Sequence, residues 1–367
     1  MQYKLRDSIV SQVKISYAKD DGGHHQQPAI DCSAGSNPFS MPDAAKKAIA
    51  QATVSQVNLY PHHSGLKGAI CRTFGPAIGL SEQNVLLTAG SIDGIYVVNT
   101  AFLRDGARVL GICPQFSDYM SHAKVLGYDY QAVPLSVSDN WAFDSQAVLD
   151  ALDSSLSLVY IDNPNNPTGQ IIPLATLRTI ADTARDKGVC VIIDEAYGEF
   201  MPPENSAAAL LKDCGNVIVL RTFSKGWGLA GLRAGYILAA PELIEVFEKL
   251  SNPYVISEPA RVVCEAAMSD EAFLPGCRQS IAARKSVLCR SLGHKLKVAR
   301  TDDTVPICLL VHEDTGCDLQ QMLEEQGVGV VSGSDFLSLG SNSVRLRLPE
   351  PSQFDALLAI LQKLDRS

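Results

Sequence analysis

The sequence predicts an α/β protein, with a large domain around a mostly parallel sheet and a smaller α+β domain at its C-terminal end. Three observations carry this reading. From about residue 45 to Leu250, short apolar or β-branched runs alternate with longer amphipathic stretches. Such alternation is the pattern of βαβ units, whose parallel strands need helices on both faces. At Ser251-Asn-Pro253 the rhythm breaks, and the later runs lose their regular alternation. The length of 367 residues suits about two domains of roughly 100–200 residues each.

The elements follow in order. Residues 1–40 are polar and irregular, with Asp20-Asp-Gly-Gly-His-His25 as a flexible loop. Strands are expected at Val85–Thr88, Arg108–Ile112, Leu156–Ile161, Val189–Ile193 and Val217–Leu220, with Gly235–Leu238 as a sixth. Helices are expected at Ile92–Leu103, Phe116–Leu126, Leu174–Lys187 and Glu242–Leu250. Beyond the joint come helices at Glu258–Met268 and Glu271–Leu292, then an apolar run at Val305–Val311. A helix at Asp318–Gln326, an apolar run at Val328–Val331, a strand at Val344–Leu348 and a helix at Gln353–Leu364 complete the chain.

Composition narrows the class of function. Hydrophobic residues make up 46% and charged residues 19%, enough apolar surface for a globular core. The net charge of −9 argues against a nucleic-acid surface or an anionic membrane face, both of which need clustered Lys and Arg. Ten cysteines are spread along the chain with no CxxC and no Cys/His group at zinc spacing, so no metal site is expected. Cys190 and Cys308 sit in apolar runs and read as small buried hydrophobes. The pairs His24-His25 and His62-His63 lack helical ligand spacing and read as solvated. Residues Met1–Asp7 lack the apolar stretch of a signal peptide, and no run of 18 apolar residues exists, so the cytoplasm is the expected compartment.

Ligands of open α/β sheets bind beyond the carboxyl ends of the strands. Four strand ends here carry chemistry: Gly90-Ser91, Asp162-Asn-Pro-Asn-Asn-Pro-Thr-Gly169, Asp194-Glu-Ala-Tyr197 and Arg221-Thr-Phe-Ser-Lys-Gly226. Taken singly, each has a bland explanation as a turn, a polar exit from the core or a helix cap. Taken together they match the needs of pyridoxal 5'-phosphate, which draws electrons from a substrate carbon into its ring. That cofactor needs a lysine to hold its aldehyde, for which Lys225 serves. Asp194 can pair with the ring nitrogen, and Asn166 and Tyr197 can reach the ring oxygen. Gly90, Ser91 and the following helix N-terminus can cradle the phosphate, with Thr222, Ser224 and Arg233 adding hydroxyls and a bidentate charge.

Asn163-Pro-Asn-Asn-Pro-Thr-Gly169, Asp194-Glu-Ala-Tyr197 and Arg221-Thr-Phe-Ser-Lys-Gly-Trp-Gly-Leu-Ala-Gly-Leu-Arg-Ala-Gly-Tyr236 resemble the fold-type I, class I/II aminotransferases, most of all the histidinol-phosphate aminotransferases. The resemblance runs from about Asp31 to Pro349, with the motifs in family order. It implies a seven-stranded, mostly parallel sheet in a large domain over 41–250, a small domain over 251–367, and an arm over 1–40 associated with the small domain. It implies that Ile92 completes the phosphate turn Gly90-Ser91-Ile92 and that Phe116 stacks on the cofactor ring. Tyr60 would reach the cofactor phosphate of a neighbouring subunit, which implies a homodimer with shared sites. Arg345 would clamp the substrate carboxylate, with Arg347 on the same strand face as its rival. Asn37 would belong to the segment that lies over the active site and touch substrate.

The implied activity is transfer of an amino group from a small-molecule donor to a 2-oxo acid such as 2-oxoglutarate, with Lys225, Asp194 and Tyr197 as the catalytic group. Three departures from the histidinol-phosphate pattern keep the donor open: Ala34-Gly-Ser-Asn-Pro38, Gly90-Ser-Ile-Asp93 and Ser251-Asn-Pro-Tyr254. The alternatives are a lyase of the threonine-phosphate decarboxylase type on the same scaffold and, behind it, a non-catalytic protein that keeps the cofactor.

Overall fold

Alternation along the strands explains the architecture. The protein's structure, a computed structural model, describes residues 5–12, 28–51, 57–58, 60–61, 64–76, 78–104 and 106–366. Its strands, in chain order, are β1 (Ile30–Asp31), β2 (Val85–Thr88), β3 (Arg108–Cys113), β4 (Asp129–Pro134), β5 (Leu156–Asp162), β6 (Cys190–Asp194) and β7 (Val217–Thr222). Then come β8 (Gly235–Leu238), β9 (Leu296–Val298), β10 (Ile307–His312), β11 (Val328–Gly329), β12 (Val331–Ser332) and β13 (Ser343–Arg347). Seven of them form one sheet in the order β2-β8-β7-β6-β5-β3-β4. Only β8 runs antiparallel to its neighbours.

Successive residues of these strands leave for opposite faces. Val159, Ile161, Val191, Ile193, Val217 and Val219 enter one core. Leu158, Tyr160, Ile192, Ile218 and Leu220 enter another on the opposite face. Both faces must therefore be covered. The helices Ser91–Phe102 and Asp118–Val125 cover one, burying Ile95, Val98, Tyr119 and Ala123, and Leu174–Asp186 covers the other with Leu177, Ile180, Ala181 and Ala184. Burial of a Leu or Ile side chain stabilises by about 1.5–3 kcal/mol, so the doubled core is the main source of rigidity at the strand ends.

The β4 strand was not legible in the sequence. Asp129-Tyr-Gln-Ala-Val-Pro134 lies at the sheet edge, is largely exposed and ends in proline, which suits an edge but hides the apolar signal. The elements that were expected agree to within a few residues, whereas the helices Asp43–Ala50, Ser64–Thr73 and Ser145–Ala151 and the strand β9 were not among them. Cys190 is half-buried at the start of β6, whereas Cys308 is buried in β10. All ten cysteines are free thiols.

A second sheet, β12-β13-β10-β9, is antiparallel and packs with the helix Phe354–Arg366 around Leu310, Val344, Leu346, Leu357 and Leu361. The arm joins this part of the molecule. Strand β1 pairs in parallel with β11, and Ile30 and Cys32 enter the same core. The expected joint at Ser251 needs correction. The helix Glu258–Met268 buries Ala260, Val263, Cys264 and Ala267 in the large-sheet core beside Ala45, Leu66 and Ile70, so packing carries the first structural unit past that turn. No helix among the described residues is long and apolar enough to cross a membrane.

Candidate active site

The carboxyl ends of β2, β5, β6 and β7 and the start of β8 meet at one edge of the large sheet. This follows from the strand directions, because β2 and β7 both run antiparallel to β8 and so end on the same side. The strand-end motifs converge there on a cavity of about 210 Å³. Ser91 and Ile92 line it from the first turn of their helix, and Asn166, Asp194 and Tyr197 line it from the ends of β5 and β6. Thr222, Ser224, Lys225 and Arg233 line it from β7 and the following turn. Phe116 faces it too. Its helix begins at Asp118, not at Phe116 as expected, so the ring stands in the preceding turn.

Gly90 caps the helix Ser91–Phe102 at a φ of 81°, a conformation that suits glycine. A Cβ there would lie 2.9 Å from a guanidinium nitrogen of Arg233. The absence of a side chain at Gly90 thus admits the arginine to the helix N-terminus. There the first turn's free N–H groups, the helix dipole and the Arg233 charge favour an anion. The Thr222 and Ser224 hydroxyls lie 2.9 Å apart beside it.

The three residues expected to be catalytic, Lys225, Asp194 and Tyr197, line this cavity together. Lys225 Nζ lies 5.6 Å from the centroid of the Tyr197 ring. A Cβ on Gly35 would sit 2.7 Å from Lys225 Nζ and 2.7 Å from Tyr197 Oη, so the arm lies directly over the amine. Asp194 is buried at the end of β6, where Tyr119 Oη donates to its Oδ2 at 2.7 Å and the Ala196 N–H donates to its Oδ1 at 2.8 Å. Burial pushes its carboxyl up to about 6, against the pull of those two donors.

Two arginines on β13 separate by partner. The Arg347 guanidinium donates to the Asp31 carbonyl at 2.7 Å and the Leu348 carbonyl at 3.0 Å. Arg345 is buried and donates to the Ser33 carbonyl, in the segment that covers Lys225. Asn37 departs from expectation. Its amide donates to the Gly226 carbonyl at 2.7 Å and its carbonyl oxygen accepts from the Phe39 N–H at 2.8 Å. Both ends are consumed in holding the arm to the lysine turn, which leaves it a positioning group. Tyr60 stands outside the cavity, 76% exposed, with its ring centroid 4.8 Å from that of Tyr254. Both histidine pairs, and the loop at 20–25, lie outside the described residues.

Two lining residues with polar side chains, Tyr119 and Asp162, have no role in the sequence reading. Tyr119 stacks on Tyr160 with centroids 4.6 Å apart and meets Phe116 edge-on, so the ring that orients Asp194 is itself clamped. Asp162 is the last residue of β5 and lies buried in the cavity wall. Its position directly before Asn163 was visible, but the direction of its side chain was not. Among the described residues no group of three or more metal-ligating side chains comes together.

The family model for aminotransferase class I and II matches residues 27–361. The chain belongs to this family. Histidinol-phosphate aminotransferase of Bacillus subtilis (strain 168) is 29% identical over 359 residues, 97% of this chain and 95% of its own length. Among solved structures, histidinol-phosphate aminotransferase from Sinorhizobium meliloti in complex with pyridoxal-5'-phosphate superposes with a TM-score of 0.85 at 22% identity, covering 100% of this chain and 98% of its own. L-threonine-O-3-phosphate decarboxylase from Porphyromonas gingivalis gives 0.76 at 19% identity, covering 92% of this chain and 100% of its own. At these identities the two structures speak for the fold alone. The fold is that of the fold-type I aminotransferases, as the motifs implied.

Pyridoxal 5'-phosphate is the cofactor of this family, and the cavity fits it on an observation of its own. The buried Tyr197 hydroxyl has no hydrogen-bond partner among the described residues, yet it lines the cavity beside Lys225. An orphaned buried hydroxyl costs about 1–3 kcal/mol, and a ring oxygen bound in the cavity relieves that cost.

Proposed function

We propose that this aminotransferase moves an amino group from a donor of the histidinol-phosphate type to a 2-oxo acid such as 2-oxoglutarate. The observation that carries the reading is the meeting of Lys225, Asp194 and Tyr197 in one cavity roofed by the Ser33–Gly35 segment. The cofactor, when bound, supplies an electron sink for the bond broken at the donor's amino-bearing carbon. Lys225 Nζ removes the proton from that carbon and returns it on the other side of the transfer. Asp194 keeps a proton on the ring nitrogen, and Asn166 and Tyr197 donate to the ring oxygen. Gly90, Ser91 and Ile92 hold the phosphate with Thr222, Ser224 and Arg233, while Phe116 covers the ring face. Tyr60 of a second copy reaches that phosphate in a homodimer with shared sites.

Arg345 takes the donor's anionic end. Arg347 donates to the Asp31 and Leu348 carbonyls, and Arg345 is the guanidinium that stands buried beside the roof, with the planar fork that suits an anionic group. The lyase reading keeps two supports, the Ser36-Asn37-Pro38 segment and the decarboxylase neighbour from Porphyromonas gingivalis.

The test is a donor series on the purified holoenzyme. Histidinol phosphate, aromatic amino acids, glutamate and threonine phosphate are added singly, and the cofactor's absorbance and carbon dioxide are followed. Conversion of the cofactor to its aminated form by histidinol phosphate, reversed by 2-oxoglutarate, is expected. Carbon dioxide release from threonine phosphate without amination would overturn the reading in favour of the lyase.

A further inference from the structure

The end of β5 places a second carboxylate in the cofactor cavity. Asp162 and Asp194 are register partners on adjacent parallel strands, both buried and both in the cavity wall. Register partners on neighbouring strands are less than about 5 Å apart at the backbone, so the two acids share one small, dry volume. Asp162 is not idle there. Its Oδ2 accepts from the Asn166 N–H at 2.9 Å, and its Oδ1 accepts from the Asn165 side-chain amide at 2.9 Å. Asn165 in turn accepts from the Thr168 hydroxyl at 2.6 Å and donates to the Pro114 carbonyl at 3.1 Å. One carboxylate thus ties the loop that carries Asn166 to the segment that carries Phe116.

We propose that Asp162 is a positioning residue for the cofactor: it fixes Asn166 and places a second negative charge, beside Asp194, against the cationic ring and its linkage to Lys225. The proposal rests on the cofactor assignment above. A neutral residue can shape a loop, but a buried acid that meets no cation within the chain is costly unless a bound cation compensates it. No ion pair of Asp162 or Asp194 occurs among the described residues, whereas the neighbouring Glu195 and Glu199 are paired with Arg221. The other titratable groups facing Asp162 are Asp194 on β6, Tyr119 on the helix Asp118–Val125 and Tyr130 on β4, and none is a cation. Without cofactor, burial pushes the Asp162 carboxyl up to about 7, against donation from Asn166 and Asn165 and with Asp194 adding to the rise. A cationic ring bound in this cavity would reverse that balance and favour both ionised forms.

The test reads the bound cofactor by pH titration of its visible absorbance in wild type and Asp162→Asn holoenzyme. Loss of an anion at about 5–8 Å destabilises the protonated linkage, so its proton affinity falls about 30-fold or more in the variant at an effective dielectric near 20. A loop-shaping role alone lowers the thermal midpoint and leaves that titration in place, which would overturn the proposal. A second measurement needs no variant. At mildly acidic pH, infrared difference spectra of cofactor uptake by wild type are expected to lose two buried protonated carboxyl bands, and loss of only one overturns the proposal. The reading beneath it fails differently. A wild-type protein that takes up cofactor without linkage to Lys225, seen by borohydride trapping and peptide mass, refutes the site assignment itself.

Discussion

Two pairs of buried acids meet at the carboxyl end of β6, on opposite sides of it, and they are handled in opposite ways. Glu195 and Glu199 share Arg221: its Nε and Nη2 lie 2.8 and 2.7 Å from Glu195 Oε2, and its Nη1 lies 3.0 Å from Glu199 Oε1. Ser206 Oγ and the Ala207 N–H complete the shell around Glu195 at 2.7 and 2.6 Å. Asp162 and Asp194, on the other side of the strand ends, receive hydrogen bonds but no arginine. Residues 194 and 195 are neighbours in sequence, so strand alternation sends one acid to each side. Where the chain supplies its own cation, the acids are structure. Where no ion pair forms, as at Asp162 and Asp194, a cationic ligand would add the missing compensation.

The largest effect expected is on turnover. Lys225→Ala removes the only side chain proposed to shuttle the proton, and steady-state rates should fall by about 10³-fold or more. Near-normal turnover in that variant would put the working amine elsewhere.

The contrast between the acid pairs is tested next by stability. Arg221→Met leaves two buried carboxylates without their cation and should cost about 3–5 kcal/mol in denaturant unfolding of the cofactor-free protein. Asp194→Asn keeps the shape and removes a buried acid that has no close ion pair and only a longer-range attraction to Lys225, so the cofactor-free protein should lose far less. Equal losses in the two variants would erase the distinction. With cofactor present the order of harm reverses, because Asp194→Asn removes the partner of the ring nitrogen.

A pH series sharpens the same point. In the folded, cofactor-free protein the Asp194 and Asp162 carboxyls lie at about 6 and about 7, above the value of 3.8 for an open carboxyl. The folded state therefore holds protons that the unfolded chain has released. The stability they contribute is full below the open-chain value and is lost as pH rises through about 6 and then about 7. Burial also raises the Glu199 carboxyl, with Arg221 pulling it back, so part of the slope belongs to that pair. Unfolding midpoints measured across this window should fall in wild type and flatten in Asp194→Asn. Saturating cofactor should remove most of the fall.

The smallest effect concerns the clamp on Asp194. Tyr119→Phe deletes one hydrogen bond to a carboxyl and leaves the stack on Tyr160, a loss of about 1.5–3 kcal/mol shared between cofactor affinity and stability. Cofactor binding by fluorescence titration should weaken without loss of the fold. Unchanged affinity would mean that the Ala196 N–H alone orients Asp194.

Much of this was legible in the residues. Apolar runs at Val85, Leu156, Val191 and Val217 demanded a sheet covered on both faces, and the polar residues that follow each run had to lie at its carboxyl edge. Lys225, Asp194, Tyr197 and Asn166 could be named on that ground, because local spacing and the strand-end rule need no knowledge of distant contacts. The tertiary structure alone decided the rest. It spent Asn37 on Gly226, gave Arg347 to Asp31 while Arg345 met the roof, and packed Glu258–Met268 into the first core. It also turned Asp162 toward Asn166 and left it without a cation. Those outcomes depend on which partner arrives from a segment remote in sequence, and a sequence read along its length carries each residue's chemistry but not what comes to stand across from it.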